Sequence, residues 1–276
     1  MGAHVRKTSA LLMASLTSIR NLIIDMDGVL WHGETPLPGL APFFNFLRAR
    51  NIRFVLATNN ASQTPEQYIA KLARMGVTAA RDEILTSAQA ASIHLEAIAP
   101  KGASVYTIGE MGVTQALAER GFVLSDDRAA YVVVGMDRGL TWEKLARATL
   151  NIRAGAAFIG TNPDVTLPTE RGITHGNGAV LAALKAATGV EPLIVGKPEP
   201  IMYQQAMARL GGQANDTAAL GDRLETDILG AVRAGMRSIF VLSGVSTREQ
   251  LLEVDYKPDW VFDGIADLTA QWEADP

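Results

Sequence analysis

Asn21-Leu22-Ile23-Ile24-Asp25-Met26-Asp27-Gly28-Val29 is a short apolar run that ends in two carboxylates two residues apart. Asn21 to Ile24 reads as a buried strand. If the strand geometry persists past Ile24, Asp25 and Asp27 lie on one face. Their repulsion then needs a cation or a proton between them. Gly28 permits a tight backbone turn at that point. The same residues also suit an ordinary acidic turn after a strand, so the stretch alone leaves both readings open.

Beyond this stretch, helices and strands alternate. Pro38-Gly39 introduces a helix that runs to Arg50, with Leu40, Phe43, Phe44 and Leu47 at helical spacing. Ile52 to Ala57 reads as a second buried strand. Thr64-Pro65-Glu66-Gln67 is a helix start, with Thr64 as N-cap, Pro65 in first position and Gln67 closing a capping box. Ile84 to Thr86 is a short strand, and a helix runs from it to about Ala99. From about Lys101 the pattern restarts: Ser104 to Ile108, Tyr131 to Met136 and Ala157 to Gly160 read as strands, with helices between and after them up to Ala187. Leu193 to Val195, Thr217 to Leu220, Ser238 to Leu242 and Trp260 to Phe262 return to the first pattern. Strands alternating with helices imply α/β architecture with parallel sheets and crossover helices. The expected organisation is an N-terminal extension over 1–20, a catalytic core over 21–100 and 191–276, and an inserted domain over 101–190.

Ligands of open parallel sheets bind beyond the C-terminal ends of the strands. Three more strand ends carry polar groups there. Thr58-Asn59-Asn60 offers a hydroxyl and two amides that can bond phosphate oxygens, although Thr and Asn are also common loop and cap residues. Gly196-Lys197-Pro198 places a cation after an apolar run. It is not a Walker A loop, since Pro198 stands where Ser or Thr would follow the lysine, and an exposed surface charge is the alternative. Gly221-Asp222-Arg223-Leu224-Glu225-Thr226-Asp227 supplies two further carboxylates. Such oxygens suit a hard cation. Asp227 also suits the first turn of a helix, where negative charge is favourable.

Together these four segments resemble, in order, the four motifs of the haloacid dehalogenase phosphohydrolase superfamily, from about residue 20 to the C-terminus. Thr161-Asn162-Pro163-Asp164, Gly196-Lys197-Pro198-Glu199-Pro200 and Gly221-Asp222-Arg223-Leu224-Glu225-Thr226-Asp227-Ile228 are similar to its NagD-like branch, subfamily IIA. That branch includes 4-nitrophenyl, phosphoglycolate and pyridoxal-phosphate phosphatases. The resemblance implies a Rossmann-like core with a large α/β cap of the C2 type inserted between the second and third motifs.

It also implies roles. Asp25 would attack phosphorus and form an aspartyl-phosphate, and Asp27 would be the general acid and base. Mg²⁺ would be held by Asp25, the backbone carbonyl of Asp27, and Asp222. Thr58, Asn59, Asn60 and Lys197 would hold the phosphate oxygens. Gly28 and Asp227 would support the site, Asp227 by orienting the metal shell or Lys197. The cap would read the leaving group of a small phosphorylated metabolite: a sugar, nucleotide, glycolate or pyridoxal phosphate. Its loop from Pro168 to Asn177, with Thr169, Glu170, Arg171, Thr174 and His175, is the expected contact segment. Arg171 and His175 are the candidate specificity residues, an exposed loop histidine being the alternative for His175. Trp31 and His32 either flank the entrance or pack a hairpin. His94 receives no role.

Composition bounds the rest. The 276 residues are 48% hydrophobic and 20% charged, with a formal net charge of -4, which suits a globular protein with a sizeable core and argues against a nucleic-acid footprint. The absence of cysteine excludes disulfides and thiolate metal sites and fits a cytoplasmic protein. No apolar run approaches the roughly 18 residues of a membrane span, so no membrane partner is expected. Arg6, Lys7 and the apolar stretch from Ala10 to Met13 loosely resemble a signal peptide. Leu22 already begins a core strand, so a start at Met13 is the preferred reading. A homodimer through the cap is a further expectation from the resemblance. The competing function is a phospho-accepting regulatory domain. The acid/base position at Asp27 and the large insertion oppose it, because signalling needs a persistent acyl phosphate and an open face. A nucleotide-binding dehydrogenase is excluded, as no G-x-G-x-x-G opens the first helix.

Overall fold

The structure is a computed structural model that describes residues 15–169 and 171–275. The N-terminal features at Arg6, Lys7 and Met13, and Glu170 of the cap loop, lie outside the described residues.

In chain order the strands are β1 (Asn21–Ile24), β2 (Trp31–His32), β3 (Thr35–Pro36), β4 (Arg53–Thr58), β5 (Ile84–Thr86), β6 (Ser104–Ile108), β7 (Val123–Leu124), β8 (Tyr131–Val134), β9 (Ala157–Gly160), β10 (Thr166–Thr169), β11 (Gly172–His175), β12 (Leu193–Ile194), β13 (Thr217–Gly221), β14 (Arg237–Val241) and β15 (Trp260–Phe262). The first sheet has the order β15-β14-β13-β1-β4-β5, and all of its pairings are parallel. Strand β1 is central, with Leu22 opposite both Ala218 and Phe54. Alternate residues of β1 enter different cores. Leu22 and Ile24 join Phe43, Leu47, Phe54 and Leu220 on one face, while Ile23 joins Val55, Leu85, Tyr203 and Ala219 on the other. Parallel strands point their C-terminal ends the same way. Asp25, Asn59 and Asp222, which come just after β1, β4 and β13, therefore emerge along one edge.

Residues between β6 and β12 build a second sheet, in the order β12-β9-β8-β6-β7. Its inner face is not separate from the first unit: Val105, Val133 and Ile159 share a cluster with Ala88, Ala91 and Leu95 of the helix Ser87–Ile98. Its outer face, with Val132, Val134, Phe158 and Leu181, has its own cluster.

The structure changes three expectations. Leu193 to Val195 is expected in the catalytic core, but β12 pairs with Ile159 and Gly160 of β9 in the second sheet. The boundary after residue 190 therefore falls too early. A two-residue apolar strand carries no mark of which sheet it joins. Here the preceding helix Asn177–Thr188 packs Leu181 and Leu184 on the second sheet and returns the chain to that sheet's edge. The segment from Pro168 to Asn177 is not an open loop but carries the antiparallel hairpin β10–β11, with Leu167 opposite Thr174. Finally, Asp227 does lie in a first helical turn, but that turn is not α-helical. Asp227 sits inside a π-helical turn over Leu224–Ile228 that runs into the helix Leu229–Arg233. The N–H of Ile228 reaches back five residues to the carbonyl of Arg223, and this wider turn sets the direction of Asp227.

The capping box at Thr64 forms as expected: Gln67 Oε1 accepts from Thr64 N at 2.8 Å, and Gln67 N donates to Thr64 Oγ1.

Candidate active site

The chain leaves β1 with Asp25 N bonded to Leu220 O at 2.8 Å, so the strand pairing continues one residue beyond its end. This holds the Asp25 carboxylate between the sheet edge and a cavity of about 470 Å³. Its side chain is 11% exposed. Asp27, Thr58, Asn59, Asn60, Lys197 and Asp227 line the same cavity.

Lys197 bonds Asp25 Oδ1 and also lies 2.7 Å from Asp227 Oδ1. Burial opposes the ammonium, but the carboxylates of Asp227 and Asp25 outweigh it and hold the Lys197 pKa well above its ordinary value. Lys197 is thus a fixed cation. Asp25 moves the other way from an ordinary acid. Burial raises its pKa well above the usual range; Lys197 opposes this, and Asp227 and Asp222 add to it. Asp222 is pushed up to about 6, by burial first and by Asp227 second.

Asp222 occupies a slot between two glycine backbones. A Cβ on Gly28, whose φ is +88°, would stand 2.5 Å from Asp222 Oδ2, and one on Gly244 only 1.9 Å from it. Any side chain at either position would displace the carboxylate. Within the slot Asp222 Oδ2 accepts from Val245 N at 2.7 Å, while Oδ1 is buried with no hydrogen-bond partner. Oxygens of Asp25, Asp222 and Asp227 all lie within 4.8 Å of one another. Both oxygens of Asp227 are engaged, Oδ1 by Lys197 and Oδ2 by the backbone N–H of Arg223 at 3.1 Å.

Asn59 departs from its expected part. Its side chain is committed to protein: Oδ1 accepts from Lys197 N at 2.8 Å, and Nδ2 donates to Lys197 O at 2.9 Å and faces Asp164. It clamps the Lys197 peptide rather than offering its amide to phosphate. Asn60 Oδ1 is likewise taken by Ser62 N and Oγ, at 2.9 and 2.7 Å. Thr58 Oγ1 accepts from Asn60 N at 3.1 Å, leaving its hydroxyl proton available. Lys197 itself comes after a strand of the second sheet, with Gly196 N bonded to Thr161 O at 2.9 Å.

Arg171 and His175 are exposed and do not line the cavity. The hairpin meets the cavity at its base, through Thr166, Leu167, Gly176 and Asn177, and carries Arg171 outward at its turn. The cap wall is completed by Met136, Arg138, Asn162 and Asp164. Arg138 lies just beyond β8, so the strand-end rule that found the core residues would have found it too. Its Nη1 bonds both oxygens of Glu110 at 2.9 Å. Arg223 also lines the cavity. Asp164 is raised in pKa by burial, against the pull of Arg223 and Lys197. Trp31 and His32 also border the cavity, His32 Nε2 donating to Ser243 O at 2.7 Å.

Comparison with known proteins matches this arrangement. The sequence profile of the haloacid dehalogenase-like hydrolases matches residues 22–123, and that of HAD-hydrolase-like proteins matches 194–268. An acid sugar phosphatase of Staphylococcus aureus is 40% identical over 252 residues, 91% of this chain and 97% of the relative. The chain belongs to the haloacid dehalogenase-like hydrolases. Within this family the structure of NagD from Escherichia coli K-12 superposes with a TM-score of 0.84 at 33% identity, covering 90% of this chain and 98% of that one. A glycerol phosphate phosphatase from Mycobacterium tuberculosis, in complex with magnesium, superposes with a TM-score of 0.85 at 36% identity, covering 91% and 76%. The chain is a NagD-like member of the family and a phosphoric monoester hydrolase. Among the described residues no helix is long and apolar enough to cross a membrane.

Proposed function

We propose that this phosphatase hydrolyses small phosphomonoesters, of sugar, nucleotide, glycolate or pyridoxal phosphate type, with Mg²⁺ and through a phosphoryl group carried on Asp25. One observation supports the reading most strongly. The Asp25 carboxylate lies at the cavity wall against a fixed ammonium and two further carboxylates, with Asp27 two residues on in the same wall.

The donor set fits the metal. A buried carboxylate oxygen without a partner is costly, and Asp222 Oδ1 is one. A hard cation bound by oxygen ligands alone would satisfy it. Asp25 and Asp222 would hold Mg²⁺ together with the backbone carbonyl of Asp27, and the ion would screen the anionic nucleophile from the anionic phosphate.

The chain's own residues do the rest. Asp25 attacks phosphorus in line with the departing oxygen. Lys197 and the Thr58 hydroxyl hold non-bridging oxygens, and stabilising their charge is the main catalytic contribution in phosphoryl transfer. Asp227 keeps Lys197 in place, and Asn59 does the same from the backbone side. Asp27 gives a proton to the leaving oxygen and then takes one from the water that releases phosphate. A cavity of about 470 Å³ admits a small metabolite. The second sheet and the base of its hairpin form the specificity wall.

The test is phosphate release from a panel of phosphorylated metabolites and 4-nitrophenyl phosphate, with and without chelator. The reading expects turnover that chelator removes, and an acid-quenched phosphoryl label on the Asp25 peptide. Full activity in excess chelator overturns the metal, and a label elsewhere overturns the nucleophile.

A further inference from the structure

Trp31 is fully buried, yet its only polar side-chain atom points at the catalytic strand end: Nε1 donates to Asp27 Oδ1 at 2.8 Å. The intervening chain is closed tightly, with Leu30 N bonded to Met26 O and Gly28 N to Trp31 O, at 2.8 and 2.9 Å. The indole cannot drift within this loop. Two residues of the helix Pro65–Arg74 hold its ring from outside. The Lys71 ammonium sits 4.3 Å from the ring centroid, and the Tyr68 ring stacks at 6.5 Å with an interplanar angle of 17°. Lys71 is itself buried and fixed by a 2.7 Å bond to Gly33 O.

An indole N–H donates and never accepts. The Asp27 oxygen that faces it is therefore an acceptor throughout the reaction. Among the described residues Oδ1 is the one Asp27 side-chain oxygen with a hydrogen-bond partner, leaving Oδ2 free in a residue that lines the cavity. A cation on the indole face draws electron density from the ring and strengthens the N–H as a donor.

We propose that Trp31 is a positioning residue that assigns the two oxygens of Asp27 different tasks: Oδ1 is tethered to the indole, and Oδ2 carries the proton. This rests on the proposed acid/base role of Asp27. As the bond from Asp25 to phosphorus forms and the ester P–O bond breaks, the proton on Oδ2 passes to the leaving alcohol oxygen, and Asp27 becomes a carboxylate. When water then attacks phosphorus and the bond to Asp25 breaks, the water proton returns to Oδ2. Lys71 and Tyr68 act one step further out, by holding the ring.

The experiment compares kcat/KM for an alkyl phosphate such as glycerol phosphate with that for 4-nitrophenyl phosphate. An alkoxide leaves poorly without a proton, whereas 4-nitrophenolate leaves well without one. Trp31→Phe keeps an aromatic ring for Lys71 and Tyr68 and deletes the N–H. The expected result is a loss of about tenfold or more for the alkyl phosphate and less than about threefold for 4-nitrophenyl phosphate, since a positioned general acid contributes roughly 10²–10⁴-fold. If Trp31→Phe does not fold, replacement of Trp31 by 3-benzothienylalanine, which keeps the shape with sulfur in place of N–H, gives the same readout. Equal losses for both substrates, or none, overturn the positioning role. Asp27→Asn separates the two readings. If it shows the leaving-group dependence and the Trp31 variant does not, only Trp31 fails. If Asp27→Asn lacks that dependence, the acid role of Asp27 fails first.

Discussion

Asn59 grips Lys197 by both sides of its backbone, Oδ1 accepting from the N–H at 2.8 Å and Nδ2 donating to the C=O at 2.9 Å. Asn59 comes just after β4 of the first sheet, and Lys197 after β12 of the second. One side chain thus fastens the strand end that presents the ammonium to β4, the neighbour of the strand β1 that carries Asp25. Asn162 of the second unit adds to the joint, donating to Asn59 O at 2.8 Å.

Replacing Asn59 by Ala leaves a buried backbone donor and acceptor of Lys197 unpaired. Each buried unsatisfied group costs about 1–3 kcal/mol. The expected outcome is a stability loss of about 2 kcal/mol in urea denaturation, together with a fall in kcat of about tenfold or more, because the ammonium is no longer held on Asp25. Unchanged stability with raised KM alone would mean that Asn59 binds phosphate instead.

Asp25→Asn removes the charge that the proposed mechanism directs at phosphorus while keeping the shape. Turnover of 4-nitrophenyl phosphate should fall by at least about 10³-fold, the scale set by loss of a covalent nucleophile. Stability in chelator should not fall. Burial, with Asp227 and Asp222, already disfavours the ionised form of Asp25, and Lys197 retains Asp227 as a partner. Activity within tenfold of the wild type would remove Asp25 from the role.

The proposed metal site links metal binding to pH through Asp222. Its folded pKa, about 6, lies above the ordinary 3.8, so the folded state binds this proton more tightly than the unfolded state. The raised value contributes no penalty below pH 4. A penalty develops as pH rises through 4 to 6 and is complete above 6. In chelator, ionised Asp222 therefore subtracts from stability near pH 7.5 and not near pH 4. A cation on its unpaired Oδ1 removes that penalty. Saturating Mg²⁺ should raise Tm clearly at pH 7.5, by the equivalent of about 2.7 kcal/mol at a hundredfold excess over Kd. The increment should shrink at pH 5, where protons compete. Asp222→Asn should raise the Tm of the metal-free protein at pH 7.5 and abolish the increment. An increment that grows toward pH 5 would exclude Asp222 as a ligand.

The parts of the site that lie at the ends of core strands were legible because a parallel sheet converts the end of each apolar run into a place in space. That rule marked Asp25, Thr58 and Asp222 as candidates, and the resemblance to the family supplied their expected roles. Lys197 came from the rule for an incomplete reason, since the run before it joins the other sheet. Two kinds of information were not local. The partners of Asn59 lie 138 residues away in Lys197 and 105 away in Asp164, so its sequence neighbours could not show that the amide was already engaged. Gly244 has no motif around it, and its importance is the 1.9 Å that a Cβ would leave to Asp222. For the β10–β11 hairpin, composition showed polar residues but not which end of the hairpin faces the cavity.

The proposed specificity wall includes only one end of that hairpin, through Thr166, Leu167, Gly176 and Asn177. Arg171 and His175 carry the charges that made the segment attractive, but both are exposed outside the cavity. Arg138 lines the cavity although its side chain is 61% exposed, and its Nη1 donates to both oxygens of Glu110, leaving Nη2 and Nε free of those bonds. A positioned planar donor of this kind suits oxygen groups on the part of the substrate remote from phosphate. Arg138→Ala should raise KM for the preferred metabolite about tenfold and change kcat for 4-nitrophenyl phosphate less than about threefold, the pattern of lost uniform binding. Glu110→Gln should give a smaller shift in the same direction by loosening the guanidinium. Arg171→Ala and His175→Ala should stay within about twofold on both measures. Steady-state kinetics on the four variants decides between the two sets. A larger effect at His175 than at Arg138 would place the outer hairpin, not the end of β8, against the substrate.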